Sequence, residues 1–464
     1  MGGLGEHVSE RLLKRVRIEN SETPDGVVHT EVTGPLGVRL LTLRTWRGPE
    51  KKIHCDLSGA LKGTFADKVD AFLAVINRLK VIAEVDGKNV YNLYNPAMPT
   101  PAAMRHLERK LRTMAERIVF PGTCTLSVTP RCPCRCVHCS ADRFVVKDRR
   151  ELTTEELKSA VEQSVDLGVS NVVFTGGEPL ARQDLPELIA HVDKSRAHAM
   201  IFTSGVLLTE KKIAELAEAG LDSMNVSIDA DTPEVHDKLR RMPGAFAKAF
   251  AGARLAREAG ILTGVSTYGC HETVTGGALE HLVRMARDEG FHEITIFDCV
   301  PTGKFLSRPD VIMGRKDIKR IRALAERYNA DEHPFGVIAQ AEANGYDGGG
   351  CFGGFAQFYM TCYGDVNPCD FNPISFGNVT EEPLETIWRR MVSHPEFTPH
   401  RHSCRMQSAR YRRKYIAPIT DEETLPVRIE RLPGDGTLLD ASDAPRRRHA
   451  VRVKAEERSG EPQS

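Results

Sequence analysis

Six short apolar runs recur between residues 125 and 298, at 125–129, 171–175, 199–203, 223–229, 261–267 and 293–298. Each has the length of a strand, and helix-like segments separate them. The segment after residue 152 opens with Thr153 and, three residues on, Glu156, a capping box that marks a helix start. Strand-like and helical patterns in alternation predict a parallel sheet with helices outside it. The periodicity leaves an open sheet and a barrel as equal outcomes.

The first run leads into three cysteines, Cys132, Cys136 and Cys139, in a C-x3-C-x2-C spacing. A loop after a strand lets backbone wrap around an inorganic cluster. Thiolates this close suit three corners of a cubane iron–sulfur cluster, whose ligands are cysteine thiolates, with a fourth iron left open. Structural zinc is the competing reading, but zinc sites usually come as two separated C-x2-C pairs, and no second pair stands nearby. Nothing upstream resembles a secretory signal, which disfavours a disulfide knot. Cys134 is expected to point away from the other three and receives no role.

Further motifs follow in order. Gly176-Gly177-Glu178-Pro179 comes after the second run, and Asn225 to Asp229, His236-Asp237 and Arg240 precede Gly244 and Phe246. From about residue 120 to 410 this set resembles the radical S-adenosylmethionine (SAM) enzymes, in the branch that carries C-terminal SPASM or twitch domains. The resemblance implies a partial (β/α)6 TIM-like barrel, with its chemistry at the C-terminal ends of the strands. It implies a 4Fe–4S cluster on Cys132, Cys136 and Cys139 whose open iron is chelated by SAM. An electron from a donor such as flavodoxin or ferredoxin would then yield methionine and a 5′-deoxyadenosyl radical, able to take hydrogen from an unactivated C–H bond.

By the same resemblance, Gly176 and Gly177 let backbone approach the methionine end. Glu178 accepts from the α-ammonium, and Pro179 stiffens the turn. Thr203, Ser204 and Gly205 stand where the family contacts the ribose. Ser227 and Asp229 are placed for the ribose or the carboxylate, and Arg240 for the carboxylate. Its neighbour Arg241 leaves the register open. His138 holds the position that packs on adenine. No residue is assigned as acid, base or nucleophile.

A second cysteine set comprises Cys351, Cys362, Cys369 and Cys404. Cys351-x12-Gly364-x4-Cys369, with Asp370-Phe371, Gly377-Asn378 and Ile387-Trp388 after it, resembles the opening of SPASM and twitch domains. The C-x2-C-x5-C-x3-C run of a full SPASM domain is absent. The resemblance therefore implies one auxiliary 4Fe–4S cluster, with Cys362 as fourth ligand or with an open iron. A zinc-bound or cluster-free module is the alternative. Cys55, Cys124, Cys270 and Cys299 are isolated and read as buried thiols; Cys299 alone, just past the sixth run, falls near the expected cavity.

Residues 1–119 read as an N-terminal α+β accessory region that covers the barrel end. A polar stretch at 1–33 is expected to be loosely ordered, followed by a strand near 38–43 and helices at 68–82 and 102–118. Residues 120–310 are the expected core barrel. Residues 311–417 form the expected SPASM/twitch-like cysteine domain, opening with a helix near 315–328. Residues 418–464 form a charged tail, ending in Arg446-Arg447-Arg448-His449 and a polar stretch, expected to be disordered.

The 63 basic and 63 acidic residues cancel, giving no reason to expect a nucleic acid or an anionic membrane as partner. No apolar run approaches the length of a membrane span. Twelve cysteines without a secretory signal point to a reducing compartment, read as the cytoplasm. The expected function is a radical SAM oxidoreductase or maturase acting on a peptide or protein. A small metabolite is the second substrate class, and a zinc- or cluster-stabilised binding protein is the non-enzymatic alternative.

Overall fold

The computed structural model describes residues 16–432, apart from 117–118, 147, 346–347, 399–400 and 421. The arginine run at 446–448 lies outside the described residues. Strands β1 (Arg17–Glu22), β2 (Val28–Thr33), β3 (Arg39–Arg47) and β4 (Ile53–Ser58) form an antiparallel meander. Val28 and Val32 of β2 and Leu41 and Leu43 of β3 share a core with Phe65 and Val69 of helix Lys62–Ile76 and Leu107 of helix Pro101–Glu116. Two strands thus fall in the stretch expected to be loosely ordered. The reason is tertiary: β1 is polar along most of its length and is ordered by pairing with β2, whose buried positions alternate.

A hairpin of β5 (Ala83–Val85) and β6 (Lys88–Val90) delivers the next segment to the start of the barrel strands. Leu93 N–H donates to Glu293 at 3.2 Å, Leu93 O accepts from the Ser223 hydroxyl at 3.1 Å, and Tyr94 OH donates to Thr295 at 3.3 Å. The segment after β6 is thus tied to the N-terminal ends of β10 and β12.

The barrel strands are β7 (Thr123–Ser127), β8 (Asn171–Thr175), β9 (His198–Thr203), β10 (Ser223–Ser227), β11 (Leu262–Gly269) and β12 (Glu293–Asp298), each parallel to the next. Side chains alternate between faces. Cys124 and Leu126 of β7 join the core, while Thr123, Thr125 and Ser127 line the barrel interior. Helix Thr154–Leu167 begins with the expected capping box, Glu156 N–H donating to the Thr153 hydroxyl and Thr153 N–H to the Glu156 carboxylate.

The sheet runs past residue 310. Helix Arg315–Ala330 and β13 (Gly336–Ala339) extend it beyond β12, and β14 (Gln357–Met360) pairs in parallel with β7 on the other side. With β15 (Val366–Asn367) the sheet has nine strands, open between β13 and β15. The two added parallel strands are four residues each, too short to register as periodic runs. Helix Leu384–Ser393 buries Trp388, whose indole N–H donates to Val119 O at 2.7 Å.

The tail also departs from expectation. β17 (Val427–Arg428) pairs in parallel with β16 (Ile374–Ser375), and Leu425, Val427 and Ile429 are buried. Three apolar side chains at every second position outweigh the one charge between them, that of Arg428. Residues 433–464 lie outside the described residues. Among the described residues no helix is long and apolar enough to cross a membrane.

Candidate functional site

The C-terminal ends of the strands open on a cavity of ≈ 960 Å³, lined by Cys132, Cys136 and Cys139 and also by Cys351, Cys369 and Cys404. That volume is at the upper end of the range for small-molecule sites, about 300–1,000 Å³.

The first cysteine loop is held from two sides. Helix Pro233–Arg240 ends in a left-handed Arg241, and its last carbonyls need donors. The loop supplies them: Val137 N–H donates to Leu239 O at 2.9 Å and Arg135 N–H to Arg240 O at 3.1 Å. Opposite, Lys304 donates from its backbone to Cys139 O at 3.1 Å and from Nζ to Cys136 O at 2.7 Å. A Cβ at Gly303 would stand 2.2 Å from Cys139 O, so only glycine admits this approach. No sequence motif marked Gly303 or Lys304 for this task.

Gly176 and Gly177 line the cavity, but their glycine character has another cause than ligand approach. A Cβ on Gly176 would meet Thr129 O at 2.4 Å, and one on Gly177 would meet Pro130 O at 2.5 Å. Gly177 N–H donates to Thr129 O at 2.7 Å and Glu178 N–H to Arg131 O at 2.8 Å. The glycines let this turn seat directly on the cysteine loop.

Glu178 does not face the cavity, contrary to the expected ammonium contact. It is 1% exposed, and both oxygens are taken. One accepts from the Thr203 hydroxyl at 2.6 Å and Leu180 N–H at 3.2 Å. The other accepts from Ser204 N–H at 2.8 Å and from the Ser204 hydroxyl. Its acceptor sites are filled by protein, and it joins the ends of β8 and β9. Pro179 is buried at the start of the turn Pro179–Ala181 and likewise does not line the cavity. Thr203 and Ser204 do line it.

His138, Ser227, Asp229 and Arg240 come together on the cavity wall. Asp229 Oδ2 sits 2.6 Å from Arg240 Nε, an ion pair, and 3.2 Å from His138 Nε2. Burial alone would raise the Asp229 carboxyl; Arg240 and His138 hold it far below the usual range. Arg240 Nη1 points at Cys136 Sγ, 3.7 Å away. Of the two neighbouring arginines, Arg240 makes these contacts, whereas Arg241, which also lines the cavity, is exposed. The His138 ring packs on Tyr268 at 4.4 Å, a neighbour that no sequence motif marked. Ser227 Oγ lies 3.2 Å from Ser266 Oγ.

Two cysteine expectations are corrected. Cys134 turns inward, its thiol within hydrogen-bonding reach of those of Cys132 and Cys136. The loop there is not extended, so side chains two apart need not diverge. Cys351, Cys369 and Cys404 act electrostatically on one another, whereas the Cys362 thiol has Ser127, Glu151 and Tyr363 as neighbours. Cys362 lies in the turn between β14 and β15 and also lines the cavity, with its thiol beside Ser127, Glu151 and Tyr363. Burial pushes the Cys369 and Cys404 thiols up. Cys299 lines the cavity too, and Cys124 is core.

Residues 126–286 match the family model of the radical SAM superfamily, and residues 351–409 match that of the SPASM iron–sulfur cluster-binding domain. The PqqA peptide cyclase of Rhizobium meliloti (strain 1021) is 30% identical over 285 residues, 59% of this chain and 74% of that protein. The chain belongs to the radical SAM superfamily. It is also similar to the AdoMet-dependent heme synthase of Methanosarcina barkeri (strain Fusaro / DSM 804), 28% identical over 293 residues, 58% of this chain and 82% of that protein. Its fold is similar to that of Streptococcus suis SuiB bound to precursor peptide SuiA, with a TM-score of 0.50, 14% identity, and coverage of 75% of this chain and 84% of that one.

This radical SAM enzyme has SAM and iron–sulfur clusters as its cofactors, and the cavity fits them. Every cysteine is a free thiol, and Cys132, Cys136 and Cys139 share one cavity with Cys351, Cys369 and Cys404, as do Cys134, Cys299 and Cys362. The cavity also carries polar atoms buried without a hydrogen-bond partner among the described residues: His138 Nδ1, Thr267 Oγ1, Asp298 Oδ1 and Asp370 Oδ1. Buried polar groups are normally paired, so a polar ligand belongs here. Burial pushes both Asp298 and Asp370 up to about 6. The sequence did not mark Asp298, and Asp370 stood in it only as part of the pattern after Cys369, with no role of its own.

Proposed function

We propose that the chain cleaves SAM reductively at a 4Fe–4S cluster held by Cys132, Cys136 and Cys139, and that the resulting radical oxidises a peptide or protein. The observation that carries this reading is the shared cavity, lined by both cysteine sets and by His138, Asp229 and Arg240. When bound, the cluster and SAM supply a 5′-deoxyadenosyl radical that takes a hydrogen atom from substrate.

The chain's own residues position that chemistry. Arg240 spends Nε on Asp229 and Nη1 on Cys136, which leaves Nη2 for the SAM carboxylate. His138, packed on Tyr268, offers a ring for the adenine. Gly176, Gly177, Thr203, Ser204 and Ser227 form the wall along which SAM lies. Glu178 and Pro179 brace that wall from behind. Cys351, Cys369 and Cys404 hold the auxiliary cluster across the cavity. In this division, residues up to 119 close the barrel mouth, the barrel sheet carries SAM, and the cysteine segment that follows β13 covers the opening. The electron comes from a donor such as flavodoxin or ferredoxin in the cytoplasm.

The peptide class is supported by the likeness to the PqqA peptide cyclase. A small metabolite is the second reading, favoured by the likeness to the AdoMet-dependent heme synthase. Anaerobically reconstituted protein with dithionite is expected to form 5′-deoxyadenosine, and the Cys132→Ala, Cys136→Ala, Cys139→Ala triple variant to form none. Equal turnover in the triple variant removes the cluster assignment. Extracts from cells grown in deuterated medium, separated by size, then report the substrate class. Deuterium is expected in 5′-deoxyadenosine with the peptide-sized fraction; transfer only from the small-molecule fraction shifts the assignment to a metabolite.

A further inference from the structure

We propose that Asp298 supplies the fourth protein ligand of the auxiliary cluster, an oxygen donor where the sequence pattern suggests a fourth cysteine. The inference rests on Cys351, Cys369 and Cys404 being a cluster site. A cubane has four metal corners, and these cysteines cap three of them. Cys362 is turned toward Ser127 and Glu151.

Asp298 ends β12 and lines the same cavity as the three cysteines. Two contacts tie it to their loops. Gln407 ends the turn Arg405–Gln407 that follows Cys404, and its side-chain N–H donates to Asp298 Oδ2 at 2.7 Å. Phe297, the residue before Asp298, packs edge-on against Phe371, two residues past Cys369, at 5.9 Å. The carboxylate is close enough to Cys404 to act on its thiol. Gln407 thus holds Oδ2, while Oδ1 is buried and, although the backbone of Ala341 faces the carboxylate, makes no hydrogen bond of normal geometry among the described residues. A buried, unpaired carboxylate oxygen is costly. A metal corner of the cluster removes that cost and completes the set.

Asp370 is the other cavity carboxylate with an unpaired oxygen. It follows Cys369 directly and is close enough to act on that thiol, but its carboxylate accepts from the Thr125 hydroxyl, with Tyr94 and Tyr359 beside it, on the barrel side of the cavity.

The test uses the full chain with Cys132, Cys136 and Cys139 replaced by Ala, reconstituted with iron and sulfide, so that only the auxiliary site reports. The parent is expected to hold about four irons and, when reduced, to give an electron paramagnetic resonance signal that cyanide does not alter. Asp298→Ala is expected to change the g-values and to make the signal cyanide-sensitive. Asp298→Cys is expected to keep the iron and to lower the midpoint potential, because a thiolate replaces a less donating carboxylate. Cys362→Ala and Asp370→Ala are expected to match the parent. An Asp298→Ala signal identical to the parent's overturns the inference, as does a change in Cys362→Ala or Asp370→Ala instead. A parent that already binds cyanide has an open iron and also overturns it. If Asp298→Ala does not fold, an unchanged potential in Asp298→Cys decides against it. A parent with no iron removes the auxiliary cluster itself, a separate failure from the loss of Asp298 alone.

Discussion

Glu178→Gln separates a scaffold from a SAM ligand. In the structure each carboxylate oxygen accepts one backbone N–H and one hydroxyl: Leu180 N–H and Thr203 on one side, Ser204 N–H and Ser204 Oγ on the other. Glutamine keeps the shape but has only one oxygen. Whichever way the amide turns, its NH2 faces one of the two backbone N–H groups. The hydroxyls can rotate to accept from it; the backbone donor cannot. One buried N–H is therefore orphaned, at a cost of about 1–3 kcal/mol, and the remaining bonds lose their charge assistance. Together these predict a loss of about 2–3 kcal/mol in the cofactor-free protein. Urea unfolding at unchanged slope measures it. Calorimetry on reconstituted protein should show SAM affinity falling by less than about tenfold, or about 1.4 kcal/mol. The reverse result refutes the scaffold role: cofactor-free stability within about 0.5 kcal/mol of the parent, the span of an ordinary surface change, with SAM affinity down tenfold or more.

Asp229→Asn should be more damaging, because it leaves the Arg240 guanidinium buried without its partner, a change that costs on the order of 3–5 kcal/mol. Since the Asp229 carboxyl is held far below its unfolded value, its contribution is present above about pH 4. Melting curves should show a constant gap between variant and parent from pH 8 to 5 that narrows only in stronger acid; a gap that closes near neutrality rules out the pair. Glu293→Gln should act in the opposite sense. Burial raises the Glu293 carboxyl to about 8. Between the unfolded value and about pH 8 the unfolded chain ionises while the folded one stays protonated, so stability falls as pH rises through that window. Glutamine can still accept from Leu93 N–H, and the variant should match the parent below about pH 4 and exceed it above pH 8. Parallel pH–stability curves would contradict a neutral buried acid at this position.

The amino-acid sequence alone determined the six barrel strands and the order of the motifs. Strands of five to eight residues with strong apolar content, and a capping box at Thr153, are local signals that need no partner to be read. The three cysteines at 132, 136 and 139 were legible for the same reason, since their spacing lies within a single loop. What the local pattern could not carry was direction and pairing. It did not order β1, which is polar and depends on β2, or the tail strand at Val427, which depends on Ile374. It could not tell that Glu178 turns back into β9, because a carboxylate between glycine and proline reads the same whether it meets a ligand or Ser204. Nor could it bring Asp298 to Cys404, more than a hundred residues later in the chain. Contacts that distant are decided by how β12 and the C-terminal turn pack around one cavity, and that packing exists only once the whole sheet has formed.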